Sequence, residues 1–191
     1  MLTEKPVCYL ITELLTISDL TRQLLGAHQG QNMAIAITAF LEVLSVFDLE
    51  IDEQKMRAGI HAAKLAGRFE QVLPNIYFDG AHNPASVRTL VDTIKEQFPT
   101  KHIEFVIGLL ADKDVRSILS LLEEVGDAFY FVDIQNDRAM EATKIFEICN
   151  SREKHIVVDV IGLLQRPVKE NTVRIVTGSL YLLSEIRRKL Q

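Results

Sequence analysis

Tryptophan is absent from the 191-residue sequence, and cysteine occurs only at Cys8 and Cys149. Two thiols so far apart, without metal-ligand spacing, exclude a disulfide framework and a zinc site and suit a reducing compartment. Glycine and proline are too sparse, at nine and five residues, for a collagenous or low-complexity chain. No apolar stretch approaches the roughly 18 residues of a membrane span. The opening residues Met1 to Pro6 lack the apolar run and small-residue cleavage site of a signal peptide. A cytoplasmic chain without membrane contact is expected. Positive charge is in deficit, 21 Lys and Arg against 26 Asp and Glu for a net −5, which argues against nucleic-acid binding. What is present is 48% hydrophobic and 25% charged residues, enough chain for a closed core.

From about residue 68 the apolar pattern alternates between two periods. Arg68 to Leu73 and Ile76 to Asp79 read as short strands around a turn at Pro74-Asn75. Asn83-Pro84 opens a helix, asparagine as N-cap and proline at the first position, where its missing N–H costs nothing. Val87, Leu90, Val91 and Ile94 then form one apolar stripe, and Phe98-Pro99 ends it. The unit recurs: a strand at Ile103 to Gly108 and a helix from Asp112 to Val125, a strand at Ala128 to Val132 and a helix from Met140 to Cys149. Further strands are read at His155 to Asp159 and Val173 to Thr177, the last entering a helix with Leu182, Leu183 and Ile186 inward. Continuous apolar strands between amphipathic helices predict an α/β domain, a doubly wound, mostly parallel sheet with helices on both faces. The crossover from Val160 to Thr172, interrupted by Pro167, leaves room for only a stunted helix.

The first 65 residues differ. Asn32 to Leu44 reads as one strongly apolar helix, and Asp52 caps a second that reaches Leu65. Two short strands precede them. So small a piece cannot cover its own apolar helix, so the helix either docks on the sheet or exposes a patch for another domain. The division expected is a mainly helical segment, 1–65, followed by the α/β domain, 66–191.

In open α/β sheets ligands bind at the carboxyl ends of strands. Those ends carry Asp79-Gly-Ala-His-Asn-Pro84, Gly108-Leu-Leu-Ala-Asp-Lys-Asp114, Asp133-Ile-Gln-Asn136 and Thr177-Gly-Ser179. Carboxylates there can accept from ribose hydroxyls, and helix starts offer N–H groups to anions. The bland alternative is that each Asp or Asn is a turn residue or cap. It suits the stretch from Asp79 to Pro84 least, because His82, between a glycine and a capped helix, has no evident packing role.

The string Phe78-Asp-Gly-Ala-His-Asn-Pro84 resembles the signature opening the C-terminal domain of folylpolyglutamate synthases and dihydrofolate synthases, in the Mur ligase superfamily. Other blocks agree in order: Leu25-Gly-Ala-His-Gln-Gly-Gln-Asn32, Ala66-Gly-Arg-Phe69 (Ala66 where the family has proline), Gly108 through Asp114, and Thr177-Gly-Ser-Leu-Tyr181. The resemblance implies a Rossmann-like glutamate ligase domain behind the tail and linker helix of a central ATPase domain. It implies an ATP-dependent ligase of folate biosynthesis that activates a folate or dihydropteroate carboxylate as an acyl phosphate and joins it to L-glutamate, with ATP and Mg2+ as cofactors. Asn32, Arg68 and Asp79 would bind ATP at its adenine side, phosphates and ribose. His82 would be catalytic, holding the anionic intermediate or the incoming glutamate, and Ser179 would touch glutamate. The alternatives are an N-cap for Asn32, a surface salt bridge for Arg68 and a helix cap for Ser179.

No Gly-x-x-x-x-Gly-Lys-Ser/Thr loop, which would wrap phosphates and help hold magnesium, occurs in the sequence. The resemblance places that loop and the magnesium ligands in a missing N-terminal domain, so the chain alone is expected to be an inactive monomer, with no metal site of its own. The alternative is a natural truncation serving as a stand-alone nucleotide-binding or regulatory module. A nicotinamide dehydrogenase is set aside because no Gly-x-Gly-x-x-Gly follows any strand.

Overall fold

The computed structural model describes residues 10–11 and 16–190, and the chain divides into two compact units between Leu65 and Ala66. In the first unit, strands β1 (Leu10–Ile11) and β2 (Thr16–Ile17) pair antiparallel, followed by helices α1 (Ala27–Val46) and α2 (Glu53–Ala62). Helix α1 starts five residues before Asn32, because Gly26, at φ 95°, breaks the chain there. Asn32 is therefore inside the helix and is not its N-cap. Asp52 caps α2 as read, accepting from the Lys55 N–H at 3.0 Å. Leu20, Ile37 and Met56 form a small core. Outside it, Ile35, Phe40, Val43 and Val46 of α1 remain exposed.

The second unit is a six-stranded sheet in the order β3-β4-β8-β5-β6-β7. Its strands are β3 (Glu70–Leu73), β4 (Ile76–Phe78), β5 (His102–Ile107), β6 (Ala128–Phe131), β7 (Lys154–Ile156) and β8 (Thr172–Thr177). Only the β3–β4 hairpin is antiparallel; every other pair is parallel. Five helices connect or follow these strands: α3 (Pro84–Gln97), α4 (Val115–Leu122), α5 (Ala142–Ile148), α6 (Val160–Gln165) and α7 (Leu180–Leu190). Every residue of β8 is buried, as a strand covered on both faces requires. Helices α6 and α7 pack over Ile76, Phe78, Val106 and Val176, while α3, α4 and α5 lie side by side on the other face. The stripe Val87, Leu90, Val91 and Ile94 is buried throughout. Asn83 and Ser86 exchange both bonds of a capping box at its start.

Several element ends differ from the sequence pattern where a carboxylate takes a neighbouring N–H or the backbone turns left-handed. Asp114 accepts from Ser117 N–H, so α4 starts at Val115 rather than Asp112. Asp159 accepts from Gly162 N–H at 2.8 Å, which ends β7 early and starts α6. That helix is six residues long and stops before Pro167. Strand β3 begins at Glu70 rather than Arg68, because Gly67 and Phe69 have positive φ. Helix α5 begins at Ala142, whose N–H is taken by Asp133.

Candidate active site

The chain leaves β4 and β5 towards one face of the sheet and leaves β8, which lies between them, towards the other. The loops after these strands therefore separate around the end of β8, the place where an open α/β sheet forms a crevice. Backbone bonds tie the three loops together there. Asp79 N–H donates to Val176 O at 3.0 Å, Gly178 N–H to Ala81 O at 3.0 Å and Gly108 N–H to Thr177 O at 3.4 Å. Gly178 has φ +105°, and a Cβ there would stand 2.6 Å from the Gly108 carbonyl oxygen. Only glycine permits that approach.

Asp79 ends β4 with both carboxylate oxygens engaged. Oδ2 accepts from the Phe69 N–H and Oδ1 from the Ala81 N–H, each at 2.9 Å. Burial pushes its carboxyl up from the ordinary aspartate range, against the pull of these two bonds and of the nearby Arg68 charge. Each oxygen keeps a second lone pair. Arg68 lies half-buried one residue before Phe69. Among the described residues it makes no hydrogen bond or ion pair, while its charge acts on Asp79. An unpaired guanidinium beside a carboxylate is a forked, permanent cation open to a further anion.

His82 places its Nδ1 2.7 Å from the Gly80 carbonyl oxygen. A carbonyl only accepts, so Nδ1 carries a proton, and Nε2 is the ring's lone-pair nitrogen when the ring is neutral. Ser179 is buried, and its Oγ accepts from the Tyr181 N–H at 3.1 Å, a cap at the start of α7. The loop after β5 is pinned by its neighbours: Ala111 N–H donates to Arg138 O at 2.8 Å, and Arg138 pairs with Asp112. Asp112, Asp114 and Asp133 thus serve as caps and ties, the bland alternative. Asn32 belongs to the other unit, where its Nδ2 donates to Gln29 Oε1 at 3.1 Å. It lines an apolar groove of about 660 Å³ with Met33, Ile37, Phe40 and Met56.

Sequence reasoning missed Glu70 and Arg187. Glu70 Oε2 accepts from the Gly67 N–H at 2.7 Å, and Arg187 of α7 forks onto both Glu70 oxygens. The Arg187 guanidinium holds the Glu70 carboxyl below its ordinary value of 4.5. A residue pair 117 positions apart in sequence carries no spacing signal. Among the described residues no group of three His, Cys, Asp or Glu could hold a metal ion, and no helix is long and apolar enough to cross a membrane.

The dihydrofolate synthase/folylpolyglutamate synthase of Bacillus subtilis is 32% identical over 185 residues, which cover 94% of this chain and 43% of that protein. The folylpolyglutamate synthase of Lacticaseibacillus casei is 30% identical over 91% of this chain and 41% of its own length. Among solved structures, folylpolyglutamate synthase from Thermotoga maritima superposes with a TM-score of 0.79 at 27% identity, over 93% of this chain and 42% of that one. E. coli FolC in complex with ADP gives 0.77 at 27% identity, over 92% and 42%. The chain thus spans about two fifths of the length of these relatives. Residues 67–180 match the model of the Mur ligase glutamate ligase domain, and the chain belongs to that family.

Proposed function

We propose that this chain supplies the glutamate ligase half of an ATP-dependent folylpolyglutamate and dihydrofolate synthase. The observation that carries the reading is that Asp79, with the Arg68 charge acting on it, and His82 stand together in the segment that follows β4. ATP, when bound, supplies the phosphoryl group that turns a folate or dihydropteroate carboxylate into an acyl phosphate. The residues present suit the nucleotide. Arg68 would neutralise phosphate charge, and Asp79, with one lone pair free on each oxygen, would accept from the ribose hydroxyls.

The acceptor side of the reaction would fall to His82 and Ser179. With Nδ1 committed to Gly80 O, Nε2 is the ring nitrogen left to meet a ligand. It would hold the anionic intermediate or the incoming glutamate. Ser179 keeps its hydroxyl hydrogen for a carboxylate while its oxygen caps α7. The phosphate loop and Mg2+ ligands would come from the remainder of a longer protein or from a second chain, because this sequence contains no such loop.

The test joins this chain behind the upstream part of the Bacillus subtilis relative and follows ADP release. Turnover dependent on folate and glutamate is expected of the hybrid, with none from the 191-residue chain alone. Arg68→Ala should remove it. A folded hybrid whose Arg68→Ala variant keeps full turnover, or turnover by the isolated chain, overturns the reading.

A further inference from the structure

Arg68 is the middle residue of a span whose backbone is gripped on both sides. Gly67 has φ +68° and Phe69 φ +47°, so the chain passes through two left-handed residues to present one arginine. For Phe69 that conformation is strained. Its ring offsets the strain by stacking on Tyr77 at 5.2 Å and tilting against Phe98 at 5.9 Å.

A carboxylate takes the N–H on each side. Phe69 N–H goes to Asp79, the residue already assigned to the nucleotide. Gly67 N–H goes to Glu70 Oε2 at 2.7 Å, and the Gly67 carbonyl accepts from Gly80 N–H at 2.8 Å. Glu70 does not stand alone. Arg187, in the last turn of α7, donates from Nη1 to Oε1 at 3.1 Å and from Nη2 to Oε2 at 2.5 Å. The Arg187 guanidinium also lies 5.7 Å from the centre of the Phe78 ring, on the strand that leads into Asp79. A forked pair of this kind fixes direction as well as distance. The arrangement therefore runs α7, Arg187, Glu70, Gly67 and then Arg68, which makes no hydrogen bond among the described residues.

We infer that Glu70, anchored by Arg187, is a positioning residue that sets how Arg68 meets the phosphate of a bound nucleotide. The inference rests on Arg68 as the phosphate cation, and it adds a coupling between α7 and that cation. Neither Glu70 nor Arg187 touches nucleotide in this scheme. Removing Glu70 frees the Gly67 N–H and lets Arg68 sample directions that do not serve the phosphate, so binding weakens while the core under α3 and α7 stays intact. Glu70→Gln keeps one acceptor for Gly67 but loses the fork with Arg187, and should fall between wild type and Glu70→Ala.

The probe is ADP, titrated into the isotopically labelled 191-residue chain, with the Arg68 Nε–Hε resonance and the Gly67 and Phe69 amides as readouts. In wild type the Arg68 signal should shift with ADP. In Glu70→Ala and Arg187→Ala the affinity should fall about tenfold, and Gly67 amide protection should drop. Ala81 protection and the thermal midpoint of the α/β unit should report an intact fold. A purely structural role for Glu70 would not move the Arg68 resonance. If Arg68→Ala abolishes ADP binding while Glu70→Ala binds like wild type, the positioning inference fails and the Arg68 reading stands. If the wild-type Arg68 signal ignores ADP, or Arg68→Ala binds ADP normally, the Arg68 reading fails and takes this inference with it.

Discussion

Replacing Asp79 by alanine should destabilise the α/β unit before it tells anything about nucleotide. The carboxylate holds the Phe69 and Ala81 N–H groups at 2.9 Å each, and deleting it leaves both donors without a partner in a partly buried site. Each orphaned donor costs about 1–3 kcal/mol, so roughly 2–6 kcal/mol is lost. Part of that is returned, because burial already works against the ionised carboxylate, as its raised pKa records. A net loss of ~3 kcal/mol is expected, or about 10 °C in melting temperature for a unit of this size. Asp79→Asn keeps the size and one acceptor but turns an NH2 towards a backbone N–H, and should lose about half as much. Arg68→Ala, which breaks no described bond, should stay within ~0.5 kcal/mol of wild type. Urea unfolding with an unchanged slope measures all three. A loss under ~1 kcal/mol for Asp79→Ala would refute the assigned clamp. The practical consequence is that Arg68→Ala, and not Asp79→Ala, is the clean functional variant.

Three further outcomes follow from the packing. Glu104 and Arg174 form a buried pair, Nη2 to Oε2 at 2.6 Å, and Arg174 also donates to the Leu163 carbonyl of α6 at 2.7 Å. Arg174→Met alone should cost about 3–5 kcal/mol in urea unfolding, and adding Glu104→Leu should recover most of it; an additive double variant contradicts this. Glu70, held below its ordinary 4.5 by Arg187, contributes stability that is fully present above that value and lost as pH falls through its lower folded value. An Arg187→Met variant should therefore show a shallower acid decline in thermal midpoint, and an unchanged decline refutes the assignment. Cys149 is buried, and burial pushes its thiol up to about 11. Peptide mapping after alkylation at pH 8 should find it modified only in denaturant, and rapid native labelling would contradict its placement.

The elements legible in the sequence were those with a strong local pattern. The stripe from Val87 to Ile94 and the Asn83-Pro84 start give α3 almost to the residue, and the apolar run of β8 announces a strand covered on both sides. The recurring strand and helix units gave the parallel sheet. Boundaries failed where one carboxylate's choice of N–H decided them, as Asp114, Asp133 and Asp159 do, because composition does not show which amide a side chain will reach. The start of α1 failed differently. The apolar pattern begins near Asn32, but Gly26 determines where the helix can begin. At the candidate site, Asp79 and His82 stood out through an unusual string. Glu70 and Arg187 did not, because their pairing exists only after β3 and α7 have packed together. The left-handed Phe69 was equally invisible, since phenylalanine carries no turn signal and the Asp79 clamp with the Tyr77 and Phe98 ring contacts holds it there.

The decisive experiment is an ADP titration of the labelled 191-residue chain with every backbone amide observed. Affinity in the millimolar range is expected, because the chain carries no phosphate loop. Within the α/β unit the shifts should cluster at residues 67–70, 79–82 and 178–179. Shifts concentrated instead at the opposite, amino-terminal edge of the sheet, or submicromolar binding by this chain alone, would contradict the proposal that the crevice around β8 is one half of a nucleotide site.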